Sequence, residues 1–221
     1  MKTKHHLQAR TKNILATLRK QFPRPTTALN FETPFQLMVG TILSAQCTDV
    51  RVNLVTPGLF KKYPSVKAFA MAGQFDLEQE IHSTGFYRNK ARSIIGNAKA
   101  LLERHAGVVP KTMEELTALP GVGRKTANCV LGAVYGINEG IVVDTHVIRL
   151  AERLGLSKQK TPEKIEQDLM QVVEKKDWYA FSNLIILHGR AVCKARKPEC
   201  PACSLKRSCP SAAAFTRQYW N

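Results

Sequence analysis

Nine residues, Leu119-Pro120-Gly121-Val122-Gly123-Arg124-Lys125-Thr126-Ala127, constrain the fold of this chain more than any other stretch. Two glycines stand two positions apart at the mouth of an apolar run. Upstream, Thr112-x-x-Glu115 has the form of a capping box and opens a short helix over 112–118. Pro120 closes that helix, because a proline disfavours the helical conformation in the residue before it. Residues 124–135, rich in Ala, Val and Leu, read as a second helix, so the segment is helix, tight turn, helix. Gly121 and Gly123 allow backbone conformations that a Cβ resists. Such a turn exposes backbone N–H groups beside the positive end of the second helix, which makes an anion site. Lys125 lies close to whatever anion docks there. Taken alone, the pattern is more often a joint between two core helices with a surface lysine, since short glycine motifs recur by chance.

Charge narrows the partners. The 221 residues carry 33 Lys and Arg against 17 acids, a net of +16, spread along the chain rather than held in a tail. That favours a polyanion, nucleic acid first and an anionic membrane second. With 44% apolar residues the chain can build a core. No apolar run reaches the ~18 residues of a membrane span. Residues 1–22 lack the apolar centre of a secretory signal, so the expected location is cytoplasmic, at the nucleoid.

The rest of the chain reads as helices. Residues 4–22 form a basic amphipathic helix ended by Pro23 and Pro25. Thr33-Pro34 starts a helix, apolar nearly all round, to about Gln46. Asp49 opens another toward Phe60, with a kink expected at Pro57. Residues 65–72 and 76–82 are short helices, and Gly85-Phe86-Tyr87 opens a long one to about His105, with Leu102 on its apolar side. Ile141-Val142-Val143 is the one extended run. Asp144 precedes a helix to Leu154 as an N-cap, and His146, Arg149 and Arg153 form a separate basic face on it. Thr161-Pro162 starts a helix to Glu174. Asp177 caps a last one to about Val192. The fold class is therefore all-α.

The six cysteines divide four and two. Cys47 and Cys129 sit singly in apolar contexts and read as core residues. Cys193, Cys200, Cys203 and Cys209 cluster near the C-terminus. Clustered cysteines in a cytosolic chain point to metal rather than disulfides. Four thiolates suit zinc or an iron–sulfur cluster. Only Cys200 and Cys203 have the close spacing of a zinc pair, and spacing alone leaves both metals open.

The glycine turn, the Val142-Val143-Asp144-Thr145-His146-Val147 stretch and the C-x6-C-x2-C-x5-C run together resemble the endonuclease III family of DNA glycosylases, from about Leu29 to Cys209. The resemblance implies a bifunctional glycosylase and AP lyase of base excision repair, which removes oxidised pyrimidines from duplex DNA and nicks 3′ to the abasic site. Lys125 aligns with the Schiff-base nucleophile and Asp144 with the catalytic aspartate. Amine attack requires a deprotonated lysine. The four cysteines align with the ligands of a [4Fe–4S] cluster, and the cations Lys194, Arg196 and Lys197 between them become phosphate contacts. Gln46 and Phe86 take the positions that fill the gap left by an extruded base. Phe86 departs from the leucine usual there. His146 falls near the bound strand, and Gly121 and Gly123 form the DNA-binding turn of a helix-hairpin-helix motif.

The implied architecture is two helical domains flanking a DNA groove. A six-helix domain spans 24–136 and holds the hairpin at about 112–135. Residues 1–23 join 137–221 in a discontinuous domain carrying the cluster loop 193–209. The implied partner is double-stranded DNA bearing damaged pyrimidines or abasic sites, bound by a monomer, with no membrane. Two other readings compete. A monofunctional adenine or mismatch glycosylase generally lacks the lysine at position 125. A non-catalytic DNA-binding module would need neither Lys125 nor Asp144.

Overall fold

The computed structural model describes residues 2–220, with side chains from residue 4 onward. Among them there are helices and no β-strand, as the sequence pattern predicts. Among the described residues, no helix is long and apolar enough to cross a membrane. The chain divides into two compact units, Thr27–Ile137 and Met1–Thr26 with Asn138–Asn221.

The discontinuous unit begins with α1 (Lys2–Gln21), whose Ile14, Leu15 and Leu18 are buried and whose Lys4, Lys12, Arg19 and Lys20 are exposed. The chain then builds the other unit. Thr33 caps α2 (Pro34–Leu43): its hydroxyl accepts the Gln36 N–H, and the Gln36 side chain accepts the Thr33 N–H. Seven of the ten residues of α2 are buried, so this helix is the axis of the core. Each such Leu or Ile stabilises the fold by about 1.5–3 kcal/mol relative to exposure. The helix stops at Leu43, three residues before the expected Gln46, because the chain turns at Ser44–Cys47.

On α2 pack α3 (Asp49–Lys62) and α6 (Tyr87–His105), and on α6 pack α4 (Val66–Ala70) and α5 (Gln74–Ile81). Pro57 lies inside α3 without interrupting it. Ala91, Ile94, Ala98 and Leu101 of α6 are fully buried, whereas Leu102, expected on that face, is exposed one position round the helix. The hairpin follows as α7 (Met113–Thr117) and α8 (Arg124–Val130). Residues Leu131–Tyr135 widen into one π-helical turn, which Gly136 ends at φ 66°.

The discontinuous unit resumes with α9 (Thr145–Arg153), α10 (Pro162–Val172) and α11 (Trp178–Ala191). The extended run before α9 pairs with side chains rather than with a strand. Ile141 N–H donates to Glu166 at 3.2 Å and Val142 N–H to the Ser182 hydroxyl at 2.9 Å. Asp177 makes no side-chain cap on α11, contrary to expectation; its carboxylate takes Arg19 of α1 at 2.6 Å instead. A helix absent from the sequence reading, α12 (Ala212–Trp220), follows the last cysteine.

Candidate functional site

The hairpin is held from below. Leu119 and Val122 are buried, and Val122 N–H closes the turn on Leu119 O at 3.1 Å. Asn97 of α6 donates its amide to Pro120 O at 3.2 Å. Gly121 has φ 76°, and a Cβ there would lie 2.6 Å from the Ser93 Cβ, so both backbone and space demand glycine. Gly123 differs: its φ is −91°, and a Cβ would meet nothing within 4 Å. The protein's own packing does not require glycine at 123. Gly123 is the N-cap of α8, and Lys125 stands exposed in the first turn of that helix.

The two gap-filling candidates sit in the same unit, each at the tip of a strained turn. Gln46 has φ 54° and Phe86 φ 49°, the left-handed region that costs a side chain about 1–2 kcal/mol. The caps beside Gln46 are Ser44 and Thr48, so its amide is not spent on a helix end. Phe86 is 62% exposed, which removes it from the core.

In the discontinuous unit Asp144 is fixed by three hydrogen bonds. Its Oδ1 accepts His146 N–H at 2.8 Å and Val147 N–H at 2.9 Å, and its Oδ2 lies 3.0 Å from His146 Nδ1. The N-cap expectation holds, and the cap orients the carboxylate. The expected basic face of α9 does not form. His146 is half-buried, bonded to Asp144 and pressed against Gly189, where a Cβ would approach its ring to 3.2 Å. Arg149 donates to Gly189 O and Cys193 O, each at 3.1 Å. Arg153 donates to Lys194 O at 2.8 Å and Ala195 O at 2.9 Å, and it also lies 3.3 Å from Cys193 Sγ. These guanidiniums turn inward because the cysteine loop presents carbonyls that no helix satisfies.

Cys193, Cys200, Cys203 and Cys209 line one cavity, with Arg153, His188 and Phe215 among its walls. Burial pushes the thiols of Cys200, Cys203 and Cys209 up, so a cationic centre is needed to hold them as thiolates. Burial lowers His188 to about 4, which keeps its ring neutral beside Cys203 Sγ at 3.5 Å. Among the described residues, no three His, Cys, Asp or Glu gather closely enough to grip a single ion. Zinc would draw all four sulfurs to about 2.3 Å from one point. The donor set, four thiols lining one cavity, also fits a polynuclear iron–sulfur cluster, in which each iron takes one of them.

The loop cations have different surroundings. Lys194 pairs with Glu199 at 2.8 Å, Lys197 lies 4.7 Å over the Trp220 ring, and Arg196 is exposed. Trp220 also donates its indole N–H to Pro198 O at 3.0 Å, and Arg153 lies 4.4 Å over Phe215. Sequence reading passed over Lys90, His188 and α12. Phe215, Tyr219 and Trp220 were the available signal for the helix, as aromatic residues after a run of alanines. Lys90 stands four residues before Ile94 on the apolar stripe of α6, where a solvated lysine has no place.

Residues 39–175 match the family model described as HhH-GPD superfamily base excision DNA repair protein. Endonuclease III of Synechocystis sp. is 54% identical over 205 residues, 93% of this chain and 94% of that protein. Two solved structures are each 39% identical. An endonuclease III trapped as a covalent intermediate with DNA superposes with TM-score 0.89 over 95% of this chain and 99% of its own. A non-covalent endonuclease III–DNA complex gives 0.90 over 95% and 98%. The chain belongs to the endonuclease III family within the HhH-GPD superfamily of base excision DNA repair proteins.

Proposed function

We propose that this protein excises oxidised pyrimidines such as thymine glycol from duplex DNA and cleaves the resulting site by β-elimination, with Lys125 as nucleophile and Asp144 as the catalytic carboxylate. The observation that carries this reading is the likeness, over 95% of the chain, to an endonuclease III caught as a covalent intermediate with DNA. A covalent intermediate needs a nucleophile, and Lys125 is an exposed amine at the mouth of the hairpin.

The chemistry follows from the residue types. As the damaged base departs with the electron pair of its bond to C1′, positive charge develops on the sugar. The fixed Asp144 carboxylate stabilises that charge. The Lys125 amine adds to C1′, and ring opening gives a Schiff base. The iminium acidifies the C2′ proton. A base removes that proton, and the C3′–O bond breaks to release the 3′ phosphate, leaving an unsaturated sugar on the enzyme. Water then hydrolyses the Schiff base and frees Lys125. Asp144, held by its cap, suits proton handling at either end of this sequence.

Base removal at C1′ requires the nucleotide to leave the stack. Gln46 and Phe86, exposed on their turns, are the side chains assigned to the gap. Open space over Gly123 suits close approach of a DNA backbone to the hairpin N–H groups. His146 is assigned to the DNA side of Asp144. Cys193, Cys200, Cys203 and Cys209 would hold a [4Fe–4S] cluster, which supplies a rigid centre for the loop and no step of base removal. Lys194, Arg196 and Lys197 on that loop contact phosphates. The protein acts as a monomer in the cytoplasm, at the nucleoid. Lys125 argues against a monofunctional glycosylase.

The test is incubation with a duplex carrying one thymine glycol, with borohydride present. The wild type should release the base, nick the strand and form a reducible adduct, and Lys125→Ala should form none. Base release from the wild type with no adduct and no nick would contradict the proposal.

A further inference from the structure

Lys90 is a buried charge to which the reaction above gives no task. It is 5% exposed, on the inner stripe of α6. Its ammonium donates to Leu43 O at 2.7 Å and to Thr84 O at 2.9 Å. Burial pushes its affinity for a proton down, opposed by Cys47 nearby. A buried cation of this kind is tolerated only where acceptors surround it, so both carbonyls are held in place by the need to satisfy it.

The positions of those two carbonyls matter. Leu43 is the last residue of α2, three before Gln46. Thr84 is two before Phe86 and is itself buried, with its hydroxyl bonded to Ile81 O at 2.8 Å. Gln46 and Phe86 are both in the left-handed region, with exposed side chains. One ammonium therefore joins the backbones leading into two strained turns that are some forty residues apart in sequence. A helix C-terminus attracts a cation in any case, and that alone would account for the bond to Leu43. It does not account for the second bond, to the segment that presents Phe86.

We infer that Lys90 is a positioning residue for base extrusion, clamping the Gln46 and Phe86 turns to each other so that both side chains enter the duplex as one pre-set pair. The inference rests on the assignment of Gln46 and Phe86 to the gap. Lys90 touches neither substrate nor the reacting atoms and acts through these two residues.

The test uses cluster-bearing Lys90→Met, below its unfolding temperature, on two substrates. One is a thymine glycol duplex, where a stack must be opened. The other is an abasic site in a single strand, where there is no stack to open. Excision from the duplex should fall by about tenfold to a hundredfold, the scale of a slight misplacement, while β-elimination on the single strand stays within about twofold. In a Gln46→Ala/Phe86→Ala background the same substitution should cost little more, since it acts through side chains already removed. Equal losses on both substrates, or a full additional loss in that background, would overturn the inference. A Gln46→Ala/Phe86→Ala protein that excises normally would instead sink the gap assignment and the inference with it. If Lys90→Met does not fold, Lys90→Gln keeps a neutral NH2 donor group and is read by the same criteria. Failure of both to fold would assign Lys90 to the fold alone and overturn the inference.

Discussion

Lys125 and Asp144 are restrained in opposite ways. Lys125 projects, exposed, from the first turn of a seven-residue helix. Asp144 is half-buried, with its carboxylate oxygens in hydrogen bonds to the backbone N–H and ring of His146 and to the backbone N–H of Val147. The difference matches their tasks. A nucleophile must follow a carbon through addition, ring opening and release, which calls for reach. A group that stabilises developing charge works by being in position before the charge appears. In the proposed mechanism the hairpin unit supplies an exposed amine, and the cysteine-bearing unit supplies a fixed carboxylate.

The comparison breaks most visibly at Lys125. Lys125→Ala should lower steady-state turnover by on the order of 10^4 or more, with the melting temperature unchanged because the side chain is exposed. A thermal scan beside single-turnover kinetics checks both halves. Asp144→Asn should cost about 10^2–10^3 in turnover, because the neutral amide keeps the cap but loses the charge. Its melting temperature should stay near wild type, while Asp144→Ala should lose about 1 kcal/mol of stability as the cap goes. Equal melting temperatures for the Asn and Ala variants would show that the cap contributes nothing.

The hairpin glycines sharpen the contrast between packing and function. Gly121→Ala meets Ser93 at 2.6 Å and a positive φ, so it should destabilise by about 1–3 kcal/mol. Gly123→Ala meets nothing, so its stability should hold within about 0.5 kcal/mol while DNA affinity falls. Denaturant melts and fluorescence anisotropy on the same preparations separate the two effects. The smallest change is expected on the cysteine loop. Removing Arg196 should reduce the salt slope of DNA binding by about 0.9, and removing Lys194, already paired with Glu199, by less. Equal slopes for the two would show that the ion pair opens on DNA.

Most helices were legible because their signals are local. Thr33-Pro34, Thr112-x-x-Glu115 and Asp144 mark helix starts through bonds within four residues, and each start is where the sequence puts it. At Thr112 the detail differs: Glu115 bonds the Thr112 hydroxyl at 2.6 Å rather than its backbone. What the sequence hid depends on distant partners. Asp177 reads as a cap, yet Arg19, 158 residues away, claims it. The spacing of His146, Arg149 and Arg153 reads as a wet face, and only the approach of Gly189 and the cysteine loop turns it inward. Of the candidate site, the residue types were readable and their restraint was not. Nothing in the letters says that Asp144 binds His146 or that Phe86 lies exposed rather than in the core.

The most direct test of this account is to map the borohydride-trapped DNA adduct by peptide mass spectrometry. The account predicts the reduced sugar on the Lys125 amine, in the peptide that carries Thr126-Ala127-Asn128. A cross-link on any other lysine, from active cluster-bearing protein, would contradict it.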